Sequence, residues 1–422
     1  MDILLDHFTR NGILDDAQFG FRSGRSVSDQ LLLAYNLVTK RYDDGLIPDF
    51  VLLDFSKAFD KVSHSVLFEK LYLLGIRGRL LDWIKDFLTG RKFRVVVDDG
   101  HSKAFSTWRN VTSGVPQGSL LGPILFLVFI NFLCHDIRST AFMFADDLKL
   151  IGTSMDGSQT TNLQVDLDTI SARASSWGLP FNVAKCSVMR FSRRKTDNLA
   201  LPPPAYHLES QRIQPCETAK DLGVIVDNGL KFHAHVDKAC RNSNGKAHEL
   251  TNGTVCRTPA FMKELLVTYV RPIMEFGSVV WNTGYAGDVR RLEAVQRAFT
   301  KKIHGYQNLT YSERLEKLDL FSVEGRLLRC DLIQTWKILH GLSPIKPEAL
   351  FQPQKRQTRG HALKVFKERA NTDIRKRFFT CRVTNEWNSL PPDVTESHSL
   401  EAFKAKLAAH LGARLFHHCD SL

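Results

Sequence analysis

Adjacent aspartates, Asp146 and Asp147, sit between two short apolar runs, Phe142–Phe144 and Leu148–Ile151. Each run has the length and the aromatic or β-branched content of a strand, and the Asp pair reads as the tight turn between them. Two carboxylates this close repel and raise each other's pKa, and a bound cation is the usual compensation. Successive side chains on a strand point to opposite faces, so only one of the pair can aim straight at a given ion. Asp146 is expected to be the principal ligand and Asp147 its helper. For the tetrapeptide taken alone, a solvated Asp-Asp turn is the plainer alternative.

Another run, Asp49-Phe50-Val51-Leu52-Leu53-Asp54, reads as a buried strand ending in a carboxylate. Between it and the Asp pair lies a Gly/Pro loop, Ser113–Ser119, that carries Gln117 and Gly118. Carboxylates from two separate strands can share two Mg²⁺ ions about 3.5–4 Å apart, an arrangement that activates a hydroxyl and stabilises a leaving phosphate. Oxygen-only ligands suit Mg²⁺, with Mn²⁺ as a substitute, rather than zinc. This is the chemistry of nucleotidyl transfer.

The elements that would position these groups follow from the pattern. Ser26 caps an expected helix through Tyr42, after a loop (Gln18–Ser26) whose Arg22 and Arg25 can meet phosphates. Helices are expected at 64–74 and 79–89, and Asp98-Asp99-Gly100 marks a hairpin between Phe93–Val97 and Ala104–Trp108. The apolar run 120–133 contains Gly122, Pro123 and Asn131 and is too short to span a bilayer, so it reads as a buried helix. A polar helix over 158–177 should end at Gly178, followed by a strand over 179–192 carrying Asn182 and Lys185. Residues 193–204 turn basic and then Pro-rich, as a linker or exposed loop would. Ala219–Val226 reads as a further strand. Beyond 231 the helical period dominates, at 232–251, 258–270, 287–304, 322–340, 371–389 and 398–411.

Net charge is +12 over 422 residues. Residues 1–150 hold 18 Lys+Arg against 18 Asp+Glu, whereas the remainder holds 39 against 27. A neutral first part beside a basic remainder suits a polyanionic partner, most plausibly nucleic acid. Residues 354–382 carry ten Lys+Arg against Glu368 and Asp373, which is either a nucleic-acid surface or a solvated helix face. The eight cysteines include no Cys-x-x-Cys pair, which argues against zinc ribbons and disulfide frameworks. The thiols are expected to be reduced, in nucleus or cytoplasm, and His417-His418-Cys419 to be a frayed tail rather than a metal site. No secretory signal or membrane span is evident.

Several blocks resemble, in order, the reverse transcriptases of non-LTR (LINE-type) retrotransposons. They are Gln18–Ser26, Val51–His64 (VLLDFSKAFDKVSH), Ser113–Leu125 (SGVPQGSLLGPIL), Phe144–Asp147 (FADD), Trp177–Cys186 (WGLPFNVAKC) and Asp221–His235. Glu293–Arg297, Tyr311–Leu315, Phe378–Pro391 and Ser399–Phe403 resemble the post-polymerase region of such elements. The resemblance implies an α+β fold with a right-hand polymerase palm, an antiparallel sheet with helices on one face, followed by a mostly helical thumb and C-terminal region. Partial fingers and palm with the primer grip would occupy 1–230, the thumb 231–305, and a basic helical region 306–422. The chain is expected to start inside the fingers and to lack the endonuclease domain of many such elements.

The resemblance also implies roles. Asp54 and Asp146 would hold both metals with Asp147 assisting, and the Phe55 carbonyl would complete one ion's shell. Phe59 would lie under the incoming sugar and exclude a ribose 2′-OH, although spacing alone favours a core Phe on a short helix. Gln117 and Gly118 would flank the nascent base pair, Lys185 would protonate the departing pyrophosphate, and Leu222-Gly223 would belong to the primer-grip hairpin. The expected partners are an RNA template, a DNA primer and dNTPs, with no membrane and no small-molecule cofactor beyond the metal. Two rivals stay open at this stage: an RNA-templated RNA polymerase, which Phe59 argues against, and a catalytically inactive nucleic-acid-binding remnant.

Overall fold

The computed structural model describes residues 2–154, 161–191, 204–354 and 360–415. The stretch 193–203 and the His417-His418-Cys419 tail lie outside them, as do residues 355–359 of the basic segment. The chain forms two compact units. One gathers residues up to Ser23, Pro48–Arg190 and the described residues of 201–216; the other gathers Gly24–Ile47 and Glu217 onward. These units do not coincide with the segments 1–230, 231–305 and 306–422, because residues 24–47 and 217–230 group with the later helices.

The first unit is built on a five-stranded sheet of β1 (Ile47–Leu53), β2 (Thr140–Phe144), β3 (Asp147–Ser154), β4 (Ser187–Arg190) and β5 (Gln214–Pro215). Their order is β5-β4-β1-β3-β2. β1 runs antiparallel to β4, with Asp49 opposite Arg190 and Leu52 opposite Ser187. β2 and β3 form an antiparallel hairpin in which Phe144 faces Asp147, and β5 adds a parallel pair, to β4. The class is therefore α+β with a mostly antiparallel sheet, as expected.

Alternation along β1 decides what each face does. Val51, Leu53 and Phe55 enter the apolar core with the helices His64–Leu73, Gly78–Leu88 and Leu121–Ile130. Asp54 is one residue out of phase and so points away from that core. The Leu121–Ile130 helix is buried at every position except Pro123, which matches a helix apolar on all sides and lying inside the unit. Asp49, at the entry to β1, is fully buried and is held by Arg190 (Nε to Oδ1 2.7 Å, Nη2 to Oδ2 2.8 Å) and by the Tyr206 hydroxyl (2.8 Å). The expected hairpin around Asp98–Gly100 forms, with Val96–Asp98 paired to Lys103–Phe105.

In the second unit Ser26 caps the helix Val27–Asp43, its Oγ accepting from the Asp29 N–H. The stretch 219–226 is not one strand but a hairpin, Thr218–Asp221 against Val224–Asp227. Its two-residue turn is Leu222-Gly223, with φ of +44° and +95°, the double positive φ that such tight turns use. A side chain at 223 would lie 2.9 Å from the Phe276 ring, which is a second reason for glycine. The helix expected over 258–270 forms as Pro259–Leu265, loosens into a π turn over Leu266–Val270 and resumes at Arg271–Glu275. Pro272 has no N–H to donate and contributes to that break. The helix expected over 371–389 is interrupted at Phe378, whose ψ of 152° is extended. Trp336, Trp387, Phe378 and Phe379 are all buried, so these rings are core rather than base-stacking platforms. Arg375 and Arg382 of the basic segment also turn inward, onto Glu368 and Asp331. Among the described residues no helix is long and apolar enough to cross a membrane.

Candidate active site

The end of β1 is held from one side by the Trp177–Cys186 segment. The Asn182 N–H donates to the Asp54 carbonyl (2.8 Å), the Ser56 N–H donates to the Pro180 carbonyl (2.9 Å), and Phe55 stacks on Phe181 with centroids 4.4 Å apart. The Asp54 N–H points to the Cys186 sulfur at 3.4 Å. These contacts leave the Asp54 side chain at the strand end with little freedom. Its Oδ2 is buried and accepts no hydrogen bond, and Lys185 Nζ, 3.7 Å away, pairs with it as an ion without reaching hydrogen-bond distance. A buried carboxylate oxygen without a donor is costly unless something cationic satisfies it.

Asp146 comes from the neighbouring strand pair. The turn joining β2 to β3 is centred on Ala145 and Asp146, with Ala145 at φ +55°, whereas Asp147 already opens β3. The turn thus sits one residue earlier than an Asp-Asp turn would. Asp146 is half-buried and Asp147 exposed. Burial raises the Asp146 carboxyl above the usual carboxylate range, and the charge of Asp54 adds to the rise. The two carboxylates therefore feel each other across adjacent strands. Such a pair offers hard oxygen donors with a net electrostatic demand for a cation, which fits Mg²⁺ or Mn²⁺. Among the described residues, no three His, Cys, Asp or Glu side chains gather into one metal cage.

The remaining candidates fall in two groups. Phe59, on the short helical turn Ala58–Lys61, stacks on Phe126 (4.3 Å, 13°) and meets the Phe21 ring edge-on (6.2 Å). The ring is partly buried and wedged between these two neighbours. Gln117 Nε2 donates to Asp60 Oδ1 (3.2 Å), and Gly118 has φ +80° with open space around it. Gly114 at φ +89° is pressed against the Asp60 backbone, where a Cβ would come within 2.9 Å, so the Gly/Pro loop is docked onto the Phe59–Asp60 turn. Arg22 braces its own loop, donating to the Asp15 and Gln18 carbonyls at 2.7 and 3.3 Å. Arg25 and the Leu222-Gly223 turn belong to the second unit.

Residues 2–226, more than half of the chain, match the family model "Reverse transcriptase (RNA-dependent DNA polymerase)". The chain belongs to the reverse transcriptase family. Two similar proteins of Drosophila melanogaster are the probable RNA-directed DNA polymerases from transposon X-element and from transposon BS. The first is 29% identical over 70% of this chain and 32% of the relative, the second 27% identical over 77% and 36%. The RNA-directed DNA polymerase from the Drosophila funebris mobile element jockey is 25% identical over 68% of this chain and 32% of the relative. The resemblance to non-LTR elements is thus borne out. This reverse transcriptase chain spans about a third of the length of the curated relatives it matches. A telomerase from Candida albicans, solved with a TWJ fragment of telomeric RNA, aligns over 82% of this chain and 57% of that one at 14% identity. Its TM-score of 0.43 is too low to build on.

Gln18, which pattern reading left without a role, and Gly20, one of two loop glycines read as able to offer backbone N–H groups to phosphates, lie against the Ala145 turn of this reverse transcriptase. Gly20 was readable as a point of close backbone approach. Gln18 had no such signal.

Proposed function

We propose that this chain carries the polymerase activity of a mobile element's RNA-directed DNA polymerase, adding dNTPs to a primer 3′-OH on an RNA template. The observation that carries the reading is the convergence of Asp54 and Asp146 from adjacent strands of the family's sheet. Asp54 has a buried oxygen that, among the described residues, no hydrogen-bond donor reaches and only the Lys185 ammonium, 3.7 Å away, neutralises, and Asp146 has a raised carboxyl pKa. These two would hold divalent ions, with Asp147 and the Phe55 carbonyl assisting. Bound Mg²⁺ would supply charge neutralisation and activation of the attacking hydroxyl, as two-metal sites do.

The chain's own groups divide the remaining work. Lys185 is largely exposed beside Asp54 and can deliver a proton to the leaving pyrophosphate. Gln117, tied to Asp60, and Gly118 would shape the floor beside the nascent base pair. The wedged Phe59 ring would exclude a ribose 2′-OH. The Leu222-Gly223 turn would position the primer, with Arg22 and Arg25 nearest the phosphates in the loop that carries them. The segments 1–230, 231–305 and 306–422 are proposed as fingers and palm, thumb, and a basic C-terminal region. The place of action is proposed as nucleus or cytoplasm.

The test is extension of oligo-dT on poly-rA with dTTP and Mg²⁺. The reading predicts a product ladder. A folded chain that binds the template–primer without extending it would favour a non-catalytic binding protein instead. Within an active enzyme, Phe59→Val should raise rNTP use at least about tenfold in dNTP/rNTP competition, the scale on which pockets discriminate by shape. Unchanged sugar selectivity would remove the ring from that role.

A further inference from the structure

We propose that Gln18 is a positioning residue that fixes the Asp146 turn, acting through its buried side-chain amide. The inference rests on the polymerase reading for its functional consequence, but not for its geometry. Gln18 is 2% exposed. Its Oε1 accepts from the Ala145 N–H (2.9 Å) and from the Gly20 N–H (2.8 Å), and its Nε2 donates to the Ala145 carbonyl (3.3 Å). One side chain therefore grips Ala145 at both of its backbone polar groups. Ala145 is the residue of the turn that most needs holding. Its φ of +55° is a region that a residue with a Cβ rarely adopts. Strain of this kind persists only where the surroundings over-determine it.

The grip is built into the approach of the chain. The Phe19 N–H donates to the Met143 carbonyl and the Met143 N–H to the Ala17 carbonyl, both at 2.8 Å, so Ala17–Phe19 runs alongside β2. At Gly20 a Cβ would stand 2.4 Å from the Ala145 nitrogen and 3.0 Å from the Phe144 carbonyl carbon. Only glycine lets the loop lie flat on the turn. Gln18 touches no reacting atom; it sets where the next residue, Asp146, places its carboxylate. Catalytic constellations tolerate roughly 0.5 Å of error, and a misplacement of about 1 Å from a remote change can cost about 100-fold.

The experiment compares wild type with Gln18→Met, which keeps the shape and removes both hydrogen-bonding functions, and with Gln18→Glu. In primer extension Gln18→Met should lower kcat about 100-fold while KM for dTTP and affinity for template–primer stay within about twofold. Hydrogen exchange should show peptides spanning 141–148 exchanging at least about tenfold faster than in wild type. Gln18→Glu adds a signature that a general loss of stability would not produce. A neutral carboxyl can replace the amide, accepting through one oxygen and donating through the other, whereas a carboxylate cannot donate. Its activity relative to wild type should therefore fall as pH rises, while that of Gln18→Met stays flat. Wild-type kcat and wild-type exchange in Gln18→Met would overturn the proposal. If wild type itself extends no primer, the polymerase reading fails, and the exchange measurement still decides whether Gln18 holds the turn. If Gln18→Met does not fold, the pH profile and exchange of Gln18→Glu decide it.

Discussion

Asp146→Asn is expected to reduce primer extension by about 1000-fold and, at the same time, to raise the melting temperature measured at neutral pH without divalent ions. The loss follows from removing a ligand to a Lewis-acid ion. Such an ion contributes several kcal/mol at the transition state, and each 1.36 kcal/mol is tenfold in rate. The stability gain follows from the raised carboxyl pKa of Asp146, caused first by burial and then by the charge of Asp54. With a folded value above the unfolded one, the fold favours the protonated form. That favourable contribution is complete below the unfolded pKa and is lost as pH rises through the folded value, so at neutral pH the full cost of the charge is present. Asparagine has no charge to lose. Mg²⁺ should therefore raise the melting temperature of wild type and leave that of Asp146→Asn nearly unchanged, since a ligand stabilises only a state it binds. Thermal melts with and without Mg²⁺ check both arms. A variant that melts lower than wild type in EDTA would contradict the electrostatic account.

The second large effect is one of stability. Arg190→Met should destabilise the first unit by about 3–5 kcal/mol, the usual result of breaking a buried ion pair from one side. Asp49 is fully buried and relies on Arg190 and Tyr206 for its three hydrogen bonds. Methionine would leave the carboxylate in the sheet with the tyrosine alone. The same pair holds β1 and β4 in register, and Asp54 lies just beyond the end of β1. Urea titration should show a lower midpoint with an unchanged slope. Asp49→Leu combined with Arg190→Met should recover most of the loss, because an apolar pair replaces a buried ionic one at little net cost. A single variant as stable as wild type would show that the pair does not hold the sheet.

Much of this was legible in residue patterns. The hairpin around the Asp pair announced itself by two apolar runs and a polar break. The apolar run within 120–133 read as a buried helix, and it forms one over Leu121–Ile130. Ser26 stood where a cap had to stand. What escaped depended on contacts distant in sequence. An Asp-Asp pair looks like the middle of its turn, yet the turn takes Ala145 and Asp146 because the loop at Gln18 and Gly20 stabilises a strained alanine. No local property of Gln18 marks it, since its partner in the turn, Ala145, is 127 residues away. Residue pattern alone reads 219–226 as a single strand, because Leu222 is apolar and hides a turn that the following glycine makes possible; the hairpin there is implied only by the family resemblance. Basic residues near 375 and 382 looked like a surface, but their partners Glu368 and Asp331 draw them inward. The helix Tyr311–Leu318 carries a readable signal, the Thr310–Glu313 capping box, in a segment that pattern reading left without a helix.

The central claim is that Asp54 and Asp146 jointly hold divalent ions. Electron paramagnetic resonance of Mn²⁺ with the template–primer complex tests it directly. The account predicts bound Mn²⁺ in wild type, and at least a tenfold weaker signal-derived affinity in Asp54→Asn and in Asp146→Asn alike. Wild-type Mn²⁺ affinity in either single variant would contradict it.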